Sequence, residues 1–247
     1  MLLDHTAAVL VPYSVPLAFG QSLYEGMRLV GRMAFPMFAY GIAQGCVYTH
    51  SPRRYLGRLL LFGVLSEVPY QLALDQPFPL HLAASNVFFT LFAGAACCQM
   101  VRYCKSRGVG WAAVLPVAAV VLVCEFLGTD YGGFGVLFVL MPYLFFENRT
   151  ARLAALGSVT CFFYVVVSHF SGFSSGLAWM GDLPLFWYMV RQTVFALLGV
   201  GLVALSNGRP GSRKGKWFFY GFYPAHLTVL FLVDWAMNGS AFQLVGG

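Results

Sequence analysis

Long apolar runs separated by short polar connections organise this chain from end to end. A helix that crosses a bilayer needs about 20 mostly apolar residues. Nine runs meet or approach that length: residues 1–18, 27–49, 55–74, 86–104, 111–128, 132–147, 153–171, 184–206 and 217–237. They predict an all-α fold, a polytopic membrane helix bundle forming a single domain over residues 1–247. The sixth run is short. The first is odd, because Asp4 and His5 stand at its start with no apolar turns before them. Two readings fit: a partial helix, or a longer helix clipped by a late start at Met1. A cleavable signal peptide is not expected, since a basic leader is absent and Asp4-His5 interrupts the apolar stretch.

Composition agrees with the pattern. The chain is 59% hydrophobic and 10% charged, with a mean hydropathy of +0.73. Ordinary globular chains carry about 25% charged residues. No polar stretch is long enough to fold as a soluble domain, and no internal repeat is visible. The six cysteines (Cys46, Cys97, Cys98, Cys104, Cys124 and Cys161) are scattered within the apolar runs without CxxC or Cys/His ligand spacing. They read as small packing residues, and no metal is expected.

Charge adds a direction. Twelve of the 15 basic residues fall in four connections: Arg53, Arg54 and Arg58; Arg102, Lys105 and Arg107; Arg149 and Arg152; Arg209, Arg213, Lys214 and Lys216. These are every second loop, the distribution expected of cytoplasmic loops. The rule puts the N-terminus in the cytoplasm and the C-terminus outside. It also accounts for the net charge of +6 without nucleic acid. On this map every acid except Glu147 lies in the outer half or the outer loops, as do Arg28, Arg32, Arg191, His5, His81 and His169, with His226 near mid-depth. Ionisable groups at membrane depth are costly and mark functional sites by default.

Several short motifs carry that polarity. Asp4 and His5 are adjacent, about 100° apart on a helix, so they cannot form an orienting pair by themselves. Asp4 is expected to pair with a cation from another helix, Arg32 first, leaving His5 free to act. In Gly31-Arg32-Met33-Ala34-Phe35-Pro36, the proline removes the hydrogen bond to the Arg32 carbonyl in mid-helix. Ser66-Glu67-Val68-Pro69-Tyr70 repeats the design with an acid. Asn86 and Thr90 share one helix face, and Asn86 is equally suited to capping. Gly128-Thr129-Asp130-Tyr131-Gly132-Gly133 forms a tight outer turn presenting Asp130 and Tyr131. Tyr223 and His226, three apart, share a face of the last run.

Taken in order, Leu3-Asp4-His5, Gly31 to Ala39, Ser66 to Tyr70, Asn86 to Thr90, Asp130-Tyr131-Gly132 and Tyr223-Pro224-Ala225-His226 resemble the TraX family, which includes a pilin-acetylating conjugal-transfer protein. The family's first helix runs well upstream of its Asp-His, which favours the clipped start. The resemblance implies an integral-membrane acyltransferase that takes acetyl-CoA as donor and acts on an amine or hydroxyl acceptor, a pilin-like N-terminus or an envelope glycan, on the extracytoplasmic side. Under it, His5 or His226 is the general base, or an acetyl-histidine forms as a relay. Arg32 stabilises the oxyanion or positions the acceptor, and Asp4 and Glu67 balance charge. Asn86, Thr90, Asp130, Tyr131, Tyr223 and Arg191 meet the acceptor. Arg102, Lys105, Arg107, Arg213, Lys214 and Lys216 attract the donor's phosphates. The rival class is a proton-coupled transporter or permease, which would also use buried carboxylates, histidines and proline-broken helices. A third is a scaffold without chemistry, which would tolerate loss of His5, Arg32 and His226.

Overall fold

The computed structural model describes residues 1–14, 17–74, 86–167, 183–208 and 215–238, and among them it contains helices and no strand. Among the described residues ten α-helices follow one another: α1 (Leu2–Ser14), α2 (Leu17–Arg32), α3 (Ala34–Tyr48), α4 (Pro52–Ala73), α5 (Val87–Ser106), α6 (Val114–Phe126), α7 (Gly132–Leu144), α8 (Arg149–Phe162), α9 (Leu183–Leu205) and α10 (Lys216–Asn238). A 3₁₀ turn over Gly110–Ala113 leads into α6, and a π turn over Phe163–Val167 extends α8.

The run expected as one helix over 27–49 is two, broken at Met33. Pro36 supplies no N–H for the Arg32 carbonyl, so the ladder cannot continue. Met33 N–H turns back to the Val30 carbonyl instead, at 3.3 Å. α9 presses on this break. A Cβ at Gly199 would come within 3.0 Å of the Met33 backbone, so only glycine lets the helices touch there. The polar stretch before residue 27, expected as a loop, is helical: α2 starts at Leu17 and carries Glu25, Arg28 and Arg32 at helical spacing.

α5 is central, in contact with α3, α4, α6 and α7. Its small residues allow the approach, with Gly94 against Val139 of α7 and Ala95, Cys97 and Cys98 fully buried. α10 packs on α4 and α1, while α9 packs on α2, α3 and α8. Polar groups lie inside: Ser66, Asn86, Thr90 and Thr160 have no solvent exposure. Large apolar side chains face outward, among them Leu61, Val64 and Leu65 of α4, Leu115, Leu122 and Phe126 of α6, and Leu198, Leu202 and Leu205 of α9. Phe126 is 90% exposed. An apolar exterior this extensive marks an interaction surface rather than a water-facing one. Two helical stretches, Val87–Ser106 and Phe186–Leu205, are long and apolar enough to cross a membrane by length and composition; Leu2–Val11, Gly110–Phe126 and Gly132–Leu144 are apolar but shorter.

The basic connections meet at one end. Arg149 donates to the carbonyls of Ala204 and Ser206, and Gln44 and Tyr48 both reach the Gly208 carbonyl. At the opposite end a polar latch joins α4 to α5. Asn86 caps α5 by accepting from Phe88 N–H at 3.0 Å. Its amide donates to the Gly63 carbonyl at 2.8 Å and to Glu67 Oε2 at 2.7 Å, while Gln71 donates to Glu67 Oε1 at 2.9 Å. Asn86→Ala removes a helix cap and leaves one Glu67 oxygen without its closest donor. The expected loss is roughly 2–4 kcal/mol, read as a lowered unfolding midpoint of the detergent-solubilised protein. An unchanged midpoint would show that the latch contributes nothing.

Candidate active site

At the end of the bundle that holds the latch, a cavity of about 320 Å³ opens between α1, α2, the start of α3, the end of α4 and the turn before α7. That is the size range of small-molecule sites. Among its lining residues are Asp4, His5, Arg28, Arg32, Asp130 and Tyr131. Five of these six were legible in the sequence as candidates; they come from three separate segments and meet only in the fold.

His5 and His226 form the centre. His5 Nδ1 lies 2.7 Å from His226 Nε2, with the rings parallel to within 3°. His226 Nδ1 lies 2.8 Å from the Phe222 carbonyl oxygen, one turn back in α10. These two bonds assign the protons. A carbonyl only accepts, so His226 Nδ1 carries hydrogen. In the neutral ring its Nε2 is then a lone pair, which accepts from His5 Nδ1–H. His5 Nε2 then carries the lone pair, and the ring's one hydrogen bond to a described residue is the Nδ1 bond to His226. His226 thus orients His5 as a carboxylate orients the histidine of a hydrolase triad. Tyr223 packs edge-on against both rings, at centroid distances of 5.8 Å and 5.4 Å.

Asp4 pairs with Arg28 rather than Arg32, Nη1 to Oδ2 at 2.9 Å. Arg28 was not singled out in the sequence, although it precedes Arg32 by one helical turn and therefore shares its face. The pairing depends on close contact between α1 and α2. A Cβ at Gly31 would lie 2.7 Å from Asp4 Cγ, so any larger residue must push Asp4 away. Arg32 stays uncommitted. Its buried Nε has no hydrogen-bond partner among the described residues, and it lies within electrostatic reach of Tyr131, Tyr164 and Asp4.

The turn between α6 and α7 is held in a strained form. Tyr131 has φ +65°, a left-handed conformation uncommon outside glycine. Three contacts hold it: the Tyr131 ring stacks on Phe35 at 3.6 Å, the Thr90 hydroxyl donates to the Asp130 carbonyl, and Gly133 N–H donates to Glu125 Oε2 at 2.9 Å. Burial pushes the Asp130 carboxyl up to about 6, with the charge of Asp4 adding to the effect and Arg32 and Arg28 opposing it.

The other candidates lie elsewhere. Glu67 and Asn86 form the latch and do not line the cavity; Thr90 acts on it through Asp130. Arg191 stands beside Glu25 at 3.9 Å, half-exposed. Arg102, Lys105 and Arg107 are exposed at the far end of α5. Arg213, Lys214, His81 and His169, and the Lys216 side chain, lie outside the described residues. Tyr24 and Tyr70 also line the cavity. Tyr70 follows the Glu67 motif directly, whereas Tyr164, beside Arg32, sits in an apolar run that gives no signal. Among the described residues no group of three His, Cys, Asp or Glu side chains is placed to hold a metal ion.

Two hydrogen-bonded histidines and an arginine beside one cavity, at one end of a helical bundle with an apolar exterior, mark a helical protein of membrane type. The chain belongs to the TraX protein family, whose model matches residues 1–234. It is 28% identical over 244 residues to a probable fimbrial assembly protein FimC, serogroup H1, of Dichelobacter nodosus, covering 93% of this chain and 89% of the relative. It is 31% identical over 235 residues to Protein TraX of Escherichia coli, covering 93% and 81%. No solved structure matches the chain.

The proton assignment is testable without a substrate. In protein labelled with ¹⁵N-histidine at neutral pH, His226 is expected as the Nδ1–H tautomer and His5 as the Nδ1–H tautomer with unprotonated Nε2. A protonated Nε2 on neutral His5 would overturn the assignment.

Proposed function

We propose that this protein is a multi-pass membrane acyltransferase that moves an acetyl group from cytoplasmic acetyl-CoA to an amine or hydroxyl acceptor on the extracytoplasmic side. The observation that carries the reading is the His5 ring, oriented by His226, in the same cavity as Arg32, whose Nε has no hydrogen-bond partner among the described residues. In this reading the nine apolar runs cross the bilayer, with the basic connections inside, the cavity toward the outer face and the C-terminus outside. The outward-facing apolar residues and the collection of basic connections at the end opposite the cavity support it.

The chemistry follows from the assigned protons. The acceptor N–H or O–H gives its proton to His5 Nε2 as its N or O attacks the thioester carbonyl. The oxyanion that forms is matched by the Arg32 guanidinium, whose free donors fit a developing negative charge. When the tetrahedral adduct collapses, the C–S bond breaks and the proton on His5 passes to the departing thiolate, giving free CoA and the acetylated acceptor. His226 accepts the His5 Nδ1–H bond throughout and so supports the imidazolium. Asp4 holds Arg28 in the wall, and Asp130 faces the same space with a carboxyl suited to an incoming ammonium group. The relative named as a fimbrial assembly protein favours a pilin-like N-terminus as acceptor, with an envelope glycan hydroxyl as the second choice.

The test is release of CoA from acetyl-CoA by purified protein, with and without an envelope extract as acceptor. Loss of a general base is expected to lower the rate by about 10²–10⁴-fold, so His5→Ala should lose extract-dependent release. Arg32→Lys keeps the charge but not the fork, and is expected to lose on the order of 10²-fold. His226→Ala should keep more activity than His5→Ala. A folded His5→Ala protein that releases CoA at the wild-type rate would sink the reading.

A further inference from the structure

A second concave site lies at the end of the bundle away from the cavity. It is a groove of about 370 Å³ between the start of α4, the last turns of α5 and the start of α6, lined by Leu56, Ala96, Gln99, Met100, Tyr103 and Pro116, among others. Its walls are almost wholly apolar. The exception is Gln99, whose Nε2 is buried and has no hydrogen-bond partner among the described residues. A buried amide donor left unpaired costs about 1–3 kcal/mol, which an acceptor oxygen in the groove would recover. The groove follows one face of α5, since residues 96, 99, 100 and 103 are spaced at three and four. Continued toward the helix end, that face arrives at Arg107. The Arg107 N–H still bonds the Tyr103 carbonyl at 3.3 Å, and its guanidinium lies 5.2 Å from the Tyr103 ring centroid. Arg53 is one turn before Leu56 on α4 and is exposed at the same end. Arg102 lies about 140° around the helix from Arg107, on another face.

We infer that this groove is a binding site for an anionic phospholipid of the cytoplasmic leaflet: one acyl chain in the apolar channel, an ester carbonyl accepting from Gln99 Nε2, and the phosphate at Arg107 and Arg53. Basic pockets between membrane helices on the cytoplasmic side bind such headgroups. The apolar walls select an acyl chain over the amide-bearing arm of an acyl-CoA, which would need more than the single donor present. The inference rests on the membrane part of the proposed function and is independent of acyl transfer.

The experiment titrates detergent-purified protein with phosphatidylglycerol or phosphatidylcholine of identical chains, and reads bound lipid by native mass spectrometry alongside the unfolding midpoint. Phosphatidylglycerol is expected to bind preferentially and raise the midpoint. Arg107→Gln should weaken it roughly fivefold, about the effect of one cation at the membrane surface. Gln99→Leu should weaken both lipids, and Arg102→Gln should change neither. Equal binding of the two lipids by wild-type protein would overturn the site. So would undiminished phosphatidylglycerol binding in Arg107→Gln, or its displacement by CoA, which would assign the groove to the donor. Detergent phase partitioning keeps the two readings apart: protein found in the aqueous phase refutes membrane embedding, whereas detergent-phase protein without lipid preference refutes only the groove.

Discussion

The hydrogen bond between His5 and His226 joins the first helix of the bundle to the last, 221 residues apart in the chain. Around it the interior obeys one rule. In an apolar surrounding, an unpaired polar group costs several times what its pairing contributes in water. Many polar side chains are therefore tied in short links: Asp4 of α1 to Arg28 of α2, Asn86 at the head of α5 to Glu67 of α4, and Thr90 of α5 to the turn before α7, with Gln71 bonding Glu67 within α4. Of the nine buried side-chain atoms that lack a hydrogen-bond partner among the described residues, three lie near one place. They are Arg32 Nε, Asp4 Oδ1 and the Tyr223 hydroxyl, on residues that line the cavity or pack against His5. Gathered in or beside one cavity, these open donors and acceptors are available to a ligand.

The backbone around that place is shaped to the same end. The break at Met33 ends α2 just after Arg32, and α9 can approach it only because residue 199 is glycine. Gly31 brings Asp4 onto α2 and so fixes Arg28, which leaves Arg32 free. Tyr131 is held in a left-handed conformation by stacking on Phe35. Strain of this kind persists only where its surroundings over-determine it, and it is a mark of preorganised sites. The site is thus built from helix ends and one tight turn, all fixed by packing.

Much of this was legible in the sequence for definite reasons. Apolar runs give helices because backbone groups in an apolar surrounding must be satisfied within the segment. Asp4, His5, Arg32 and His226 stood out because ionisable groups are rare in such runs, and Asp130 and Tyr131 because a glycine-flanked turn presents them. What the sequence could not supply was pairing across helices. Adjacent-residue geometry excluded Asp4 as the partner of His5, but nothing local could choose Arg28 over Arg32; that choice depends on the depth at which Gly31 lets α1 settle. The proline in α3 announced a break, yet the helical start of α2 at Leu17 was hidden because its polar residues were read as a loop rather than as one face of an amphipathic helix. Glu67 looked like a site residue for the same reason that His5 did. The structure places it opposite Asn86 in the latch rather than on the cavity wall.

The distance between the two ends of the bundle constrains any mechanism. Leu56 lines the groove and Leu74 lines the cavity, 18 residues apart along α4 and its C-cap, or about 27 Å at helical rise. A donor whose phosphates stayed on the exposed cations at the far end of α5 would have to span nearly that whole length to bring its thioester to His5. Under the proposed transfer, exposed cations such as Arg102 and Lys105 would steer an anionic donor toward the bundle rather than hold it during reaction. Under the proposed transfer, holding would fall to groups at the cavity, where Arg28 pairs with Asp4 and Arg32 forms no salt bridge among the described residues. Exchange of Arg32 for lysine keeps the charge but not the planar fork, and so separates recognition by charge from recognition by shape.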